Sequence, residues 1–274
     1  MKYEVIDIKT GVESRSDYQP TLTAYVLDEK CAVPDFKRPT VVICPGGGYA
    51  MTSEREAEPI ALQYLANGFN AFIVRYSCAP AVFPTALLEL AKAVQIIRER
   101  AEEWRVDTDK IIVSGFSAGG HLAASLCVFW DRDFVREALG VSSELIKPNG
   151  AVLCYPVITS GEFAHRGSFS NALAEKEHDD DMLELLSLEE QVSASTPPTF
   201  LWHTWEDGSV PVENSIMYAQ ALRNNGIITE MHIYPHGGHG LSLANEETCA
   251  GRPELIMEEC QDWIKKAVEW IRGL

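Results

Sequence analysis

Ser117 stands at the centre of Gly115-Phe116-Ser117-Ala118-Gly119, between an apolar run, Lys110 to Ser114, and an amphipathic stretch, Ala118 to Trp130. Strand, sharp turn and helix in that order hold a serine in a strained backbone conformation. Only small residues fit two positions to either side, and glycines occupy both. The hydroxyl is thereby lifted above the sheet, next to the N-terminus of the following helix, where it can attack a carbonyl carbon. The Ala118 N–H lies close by to receive the negative charge that develops. A glycine-rich turn that only permits close packing would carry the same five residues, so the groups around it must decide.

A serine hydroxyl needs a base to take its proton and a carboxylate to orient that base. Two later segments hold candidates: His203-Thr204-Trp205-Glu206-Asp207-Gly208-Ser209-Val210-Pro211 and Pro235-His236-Gly237-Gly238-His239-Gly240. Asp207 is preferred to Glu206 as the acid, because a glycine turn and a helix opening at Val210-Pro211 follow it and can hold a short carboxylate rigidly. His239 is preferred to His236 as the base, because its glycine-flanked loop can bring the ring close to Ser117. His121, one turn into the helix after the serine, and His203, at the end of a buried strand, read as hydrogen-bonded structural residues. His165, His178 and His232 are not favoured. The run Cys44-Pro45-Gly46-Gly47-Gly48-Tyr49 leaves backbone N–H groups uncovered, and Gly47 and Gly48 are assigned with Ala118 to an oxyanion hole. No Walker lysine follows it, which counts against a phosphate cradle.

The elements that must position these groups can be read from periodicity. Short apolar or β-branched runs occur at Tyr3 to Ile8, Leu22 to Leu27, Thr40 to Cys44, Ala71 to Tyr76, Lys110 to Ser114, Gly150 to Tyr155, Thr199 to Thr204 and Thr229 to Tyr234. Helical segments are expected at Glu54 to Asn67, Thr85 to Glu103, Ala118 to Trp130, Pro211 to Asn225 and Pro253 to Ile271. Asn67-Gly68 and Asn225-Gly226 read as left-handed C-terminal caps. Alternating strands and helices imply an α/β fold with a mainly parallel sheet covered on both faces. Residues 157 to 198, with an expected helix at Met182 to Val192, are too long for an ordinary loop. They read either as a solvated excursion or as a small cap over the site.

Composition narrows the function. The chain has 274 residues, 46% of them hydrophobic and 23% charged, which fits one α/β domain spanning 1–274. A formal charge of −17 repels phosphate backbones and anionic lipid, so neither nucleic acid nor a membrane surface is an expected partner. Seven cysteines with no C-x-x-C pair read as reduced, mostly core residues. The first residues lack the pattern of a secretory leader, and no long apolar run occurs, so a cytoplasmic protein is expected.

Taken together, Pro45 to Pro59, Arg75 to Pro84, Gly115 to Leu126, Thr196 to Ser215 and His236 to Leu241 resemble the α/β-hydrolase superfamily. Within it they are similar to the esterase and lipase-like group that includes bacterial acetylxylan esterases and carbohydrate acetylesterases. The resemblance covers almost the whole chain. It implies the α/β-hydrolase fold, an eight-stranded sheet, and a triad of Ser117, Asp207 and His239. It also implies hydrolysis of small acyl esters without cofactor or metal, extending to acetylated xylo-oligosaccharides. Many lipase-like relatives carry a histidine where Pro45 stands, so the oxyanion loop must be held by other contacts. An amidase or peptidase, a lipase, and a non-catalytic binding module on the same fold remain open, and the oligomeric state is not legible.

Overall fold

Eight strands form one sheet: β1 (Lys2–Asp7), β2 (Thr21–Val26), β3 (Arg38–Cys44), β4 (Asn70–Arg75), β5 (Val106–Phe116), β6 (Gly150–Cys154), β7 (Thr199–Thr204) and β8 (Thr229–Tyr234). The computed structural model describes residues 1–28, 33 and 35–274. Strand order is β1-β2-β4-β3-β5-β6-β7-β8. Pairings of β2 with β1 and β4 are antiparallel, and all others are parallel. The helices are α1 (Glu58–Ala66), α2 (Thr85–Glu99), α3 (Ala101–Trp104), α4 (Ala118–Phe129) and α5 (Asp133–Leu139). They continue as α6 (Ser143–Ile146), α7 (Arg166–Leu173), α8 (Asp180–Leu186), α9 (Glu213–Asn224) and α10 (Trp263–Gly273). This is the expected eight-stranded α/β-hydrolase architecture.

Successive residues of β3 face opposite sides, and both sides are dry. Val42 joins Phe72, Val113 and Leu153 beneath Leu90 and Val94 of α2 and Leu122 and Leu126 of α4. Val41 and Ile43 join Ile112 and Val152 beneath Tyr64 of α1 and Trp263 of α10. A sheet covered on both faces needs apolar residues at every position, which is why these strands read as runs rather than as alternations.

Several boundaries differ from those expected. The first helix is split: a single 3-10 turn covers Glu54–Glu56, and α1 restarts at Glu58. Pro59 has no N–H, and its ring would clash with the carbonyl four residues earlier, so a continuous helix cannot pass through it. The last α-helix begins at Trp263, because the stretch from Pro253 contains only two short 3-10 turns. In the insertion, α8 starts earlier than expected, at an Asp179 cap whose carboxylate accepts from the Met182 N–H at 3.1 Å. It ends where Ser187 turns extended. Gly68 and Gly226 do adopt left-handed conformations, with φ of +84° and +74°. Cys44, Cys127, Cys154 and Cys260 are buried free thiols, whereas Cys78 and Cys249 are only partly buried; Cys31 lies outside the described residues. Among the described residues no helix is long and apolar enough to cross a membrane, and no cluster of His, Cys, Asp or Glu could hold a metal ion.

Candidate active site

Parallel pairing brings the chemistry-bearing loops to one edge. Cys44 lies opposite Gly115, Phe116 opposite Cys154, Cys154 opposite Trp202, and Thr204 opposite Tyr234. The C-terminal ends of β3, β5, β7 and β8 therefore finish together, and the loops carrying Gly46 to Gly48, Ser117, Asp207 and His239 leave from the same side.

Ser117 has φ +54° and ψ −121°, a conformation costing about 1–3 kcal/mol for a residue other than glycine. The neighbouring chain holds it there. Its N–H donates to the Cys154 carbonyl at 3.0 Å, and its own carbonyl accepts from the N–H groups of His121 and Val157, each at 3.1 Å. The flanking glycines are required by backbone contact. A Cβ on Gly115 would lie 2.1 Å from the Gly119 carbonyl oxygen, and one on Gly119 would lie 2.1 Å from that of Cys44 and 2.4 Å from that of Pro45. The start of α4 thus rests directly on the end of β3, which sets the glycine loop beside Ser117.

Ser117, His239 and Asp207 form a hydrogen-bonded chain. Ser117 Oγ is 2.8 Å from His239 Nε2, and His239 Nδ1 is 2.6 Å from Asp207 Oδ2. A carboxylate only accepts, so Nδ1 carries the proton and Nε2 is left to accept from the serine hydroxyl. Asp207 is buried, and its Oδ1 accepts from the N–H groups of Ser209 and Val210, both at 2.9 Å. Burial works against its ionisation, but donation from His203 and His239 and from the Val210 amide outweighs it and holds the carboxyl far below the usual carboxylate range.

The loop after β3 has no histidine at position 45, and the structure supplies other supports. Buried Glu56 accepts from the Gly46 N–H at 2.9 Å and from the Tyr155 hydroxyl at 2.7 Å. Tyr76 donates its hydroxyl to the Pro45 carbonyl at 2.7 Å, and Asn171 donates to the Gly48 carbonyl at 2.8 Å. No acceptor among the described residues takes the N–H of Gly47, Gly48 or Ala118. Gly47 and Gly48 have φ of +133° and +64°. The neighbouring residue of the 54–56 turn serves the histidine loop: Arg55 Nη2 donates to the Gly240 carbonyl at 2.7 Å, and the Arg55 carbonyl accepts from Ser242 Oγ at 2.6 Å. One short turn thus braces the loops on both sides of Ser117.

Part of the 157–198 insertion touches the loop after β3, where Asn171 donates to the Gly48 carbonyl. Phe169, Leu173 and Leu186 form a small core with Val157 and Val210. His165 Nδ1 is 2.8 Å from Ser168 Oγ, and Ser168 Oγ lies 3.9 Å from where a Cβ on Gly48 would stand. Burial, and then the proximity of His239, keep the His165 imidazole below its ordinary range. His121 is fully enclosed, its ring nitrogens 2.8 Å from the Tyr49 hydroxyl and 3.0 Å from the Leu186 carbonyl. Glu206 and His236 make an exposed pair at 3.1 Å, away from the serine's hydrogen bonds. His178 is exposed beside Glu177, and His232 pairs with Glu230 on β8. Among the aromatic residues near strand ends, Trp202 stacks on Trp263, Tyr49 is buried, and Phe83 packs on Phe129 and Phe134; Trp205 alone of these is exposed, at 62%.

Sequence reasoning passed over Arg55, Glu56, Tyr155, Asn171 and the contact of His203 with Asp207. Their signal was weak: Arg55 and Glu56 sit in a run of charges that reads as a solvated helix face, and nothing local reveals that one of those carboxylates turns inward.

Residues 30–222 match the BD-FAE family. The endo-1,4-beta-xylanase B of Butyrivibrio fibrisolvens is 37% identical over 245 residues, covering 87% of this chain and 37% of that protein. An acetylxylan esterase of Xylanibacter ruminicola is 29% identical over 230 residues, covering 82% of this chain and 45% of that protein. The chain therefore spans less than half the length of these two relatives. The crystal structure of an acetyl ester-xyloside bifunctional hydrolase from Caldicellulosiruptor lactoaceticus superposes with a TM-score of 0.81 at 36% identity, covering 94% of this chain and 89% of that one. With this match over most of its length, and with the strand order and serine turn described above, the chain belongs to the BD-FAE family of α/β-hydrolases.

Proposed function

We propose that this chain is a serine carboxylesterase that removes small acyl groups, acetyl above all, from esters carried on sugars such as xylo-oligosaccharides. The observation that carries the reading is the continuous chain from Ser117 Oγ through His239 to the buried Asp207 carboxylate, at 2.8 and 2.6 Å. Residues 1–274 act in this reading as one catalytic unit, with 157–198 covering the site. The acetylated-sugar substrate is supported by the acetylxylan esterase and the acetyl ester-xyloside hydrolase among the chain's relatives.

The reaction runs in two steps. His239 Nε2 takes the hydroxyl proton as Ser117 Oγ attacks the ester carbonyl carbon, and the N–H groups of Gly47, Gly48 and Ala118 receive the oxyanion. The tetrahedral adduct collapses, the alcohol leaves with the proton held on His239, and the acyl group stays on Ser117. Water then gives a proton to His239 and attacks the acyl carbon; collapse releases the acid and returns the proton to Ser117. Asp207 remains ionised throughout and keeps His239 in the tautomer that both steps need.

Ser117→Ala is expected to fold as the native protein does, with p-nitrophenyl acetate turnover reduced by a factor on the order of 10⁴ or more and no labelling by a fluorophosphonate. Turnover close to native in that variant overturns the assignment. An ester panel of rising acyl length, with an acetanilide and acetylated xylo-oligosaccharides beside it, tests the substrate. Acetate release from the sugars supports the reading, while a preference for anilide or for long acyl chains replaces it with an amidase or a lipase.

A further inference from the structure

His203 ends β7, wholly buried, four residues before Asp207. Its Nε2 faces two groups that can only accept: the Val210 carbonyl at 2.9 Å and Asp207 Oδ2 at 3.2 Å. Nε2 must therefore carry a proton and share it between them. Its Nδ1 is 2.8 Å from Ser215 Oγ on α9, which fixes the plane of the ring from the other side. Asp207 Oδ2 is the same oxygen that accepts from His239 Nδ1 at 2.6 Å. The two imidazoles thus meet at one carboxylate oxygen, one on the path to the serine and one on the sheet side.

The backbone ties the turn from Asp207 to Val210 to β7 at its first residue, where the Asp207 N–H donates to the Thr204 carbonyl at 3.4 Å. Asp207 Oδ1 accepts from Ser209 and Val210, a pair of bonds that closes the turn without tying it to the sheet. His203 adds a side-chain tie to the sheet by holding the carbonyl at one end of the turn and the carboxylate at the other. Rotation of Asp207 about its last side-chain torsion would break the His203 contact and the His239 contact together.

We propose that His203 is a positioning residue for the reaction: its Nε2–H clamps the Asp207 to Val210 turn to the end of β7 and so aims Oδ2 at His239. The inference rests on the esterase reading above. It assigns His203 no contact with substrate; the residue acts only through Asp207.

Replacing His203 by Leu removes the shared donor, and by Gln retains an amide N–H at about the reach of Nε2. With p-nitrophenyl acetate, His203→Leu is expected to lower kcat roughly ten- to a hundred-fold, the loss typical of one hydrogen bond to a charged group, with KM little changed. His203→Gln is expected to recover most of it. On an Asp207→Ala background, His203→Leu is expected to lower kcat no further, because the residue it acts through is gone. Equal losses from Leu in both backgrounds, or a Gln variant as poor as Leu, would show that the ring only fills space and would overturn the proposal. Should His203→Leu fail to fold, nitrogen-15 NMR of the native protein decides: a protonated His203 Nε2 supports the clamp, and a ring protonated only on Nδ1 refutes it. Native turnover that survives Ser117→Ala would instead sink the esterase reading itself, and the clamp's catalytic role with it.

Discussion

His121 makes the stability of this fold depend on pH in a direction set by its surroundings. The Leu186 carbonyl can only accept, so Nε2 carries the proton and Nδ1 accepts from the Tyr49 hydroxyl. A second proton would have to enter at Nδ1, against that hydroxyl and in a setting 2% exposed. Burial pushes the imidazole down to about 4, the Leu186 carbonyl opposing it only in part. In the unfolded chain a histidine titrates near 6.5. Between those values the unfolded chain binds a proton that the folded one refuses, so stability falls as pH falls through about 6.5 and the loss is complete near 4. At about 1.4 kcal/mol for each pH unit, the separation amounts to about 3 kcal/mol. Urea unfolding of the native protein and of His121→Gln, run in parallel from about pH 7 down to about pH 4.5, isolates this contribution, because the other titrating groups cancel in the difference. The native curve is expected to fall relative to the variant by most of that 3 kcal/mol. Parallel curves would refute the reasoning, since they would mean that His121 accepts its second proton without disturbing the Tyr49 and Leu186 contacts.

Two further outcomes follow from the packing around Ser117. Glu56→Ala leaves the Gly46 N–H and the Tyr155 hydroxyl buried without their acceptor, which should cost about 2–4 kcal/mol in urea unfolding and, on the proposed mechanism, lower kcat more than it changes KM as the Gly46 to Gly48 loop loosens. Unchanged kcat in a folded variant would mean that Tyr76 and Asn171 suffice to hold the loop. Gly119→Ala should fail to fold or lose more than about 4 kcal/mol, because backbone carbonyls on β3 and the following loop cannot yield to a Cβ 2.1 Å away. Gly167→Ala, on α7 with its nearest neighbour at 3.6 Å, should instead gain about 0.5 kcal/mol. Thermal melts of the two distinguish a backbone contact from ordinary helix propensity.

Much of this architecture is legible in the sequence. Apolar and β-branched runs located all eight strands within a few residues; the inner strands are buried on both faces and so largely apolar, whereas the edge strands β1 and β8 are mostly not buried. β5 was the least complete, because Asp107, Thr108 and Asp109 look like a loop although the strand begins at Val106. The glycines at 115 and 119 were readable for the same kind of reason: a local turn geometry excludes side chains there whatever the rest of the molecule does. The short helices α5 to α7 went unread, because segments of eight residues or fewer carry too few turns to display a period.

Residue type and spacing along the chain thus determined the strands, the strained turn at Ser117 and the candidates for its partners, because each is written in the residues of a short segment. Three-dimensional packing alone decided that Glu56 turns inward to hold Gly46, that Arg55 reaches across 185 positions to the Gly240 carbonyl, and that His203 and His239 meet on a single oxygen of Asp207. These contacts join residues whose proximity is created by the parallel register of β3, β5, β7 and β8. No local pattern carries that information, because a charged side chain on a solvated face and one sealed beneath a loop are spelled with the same letter.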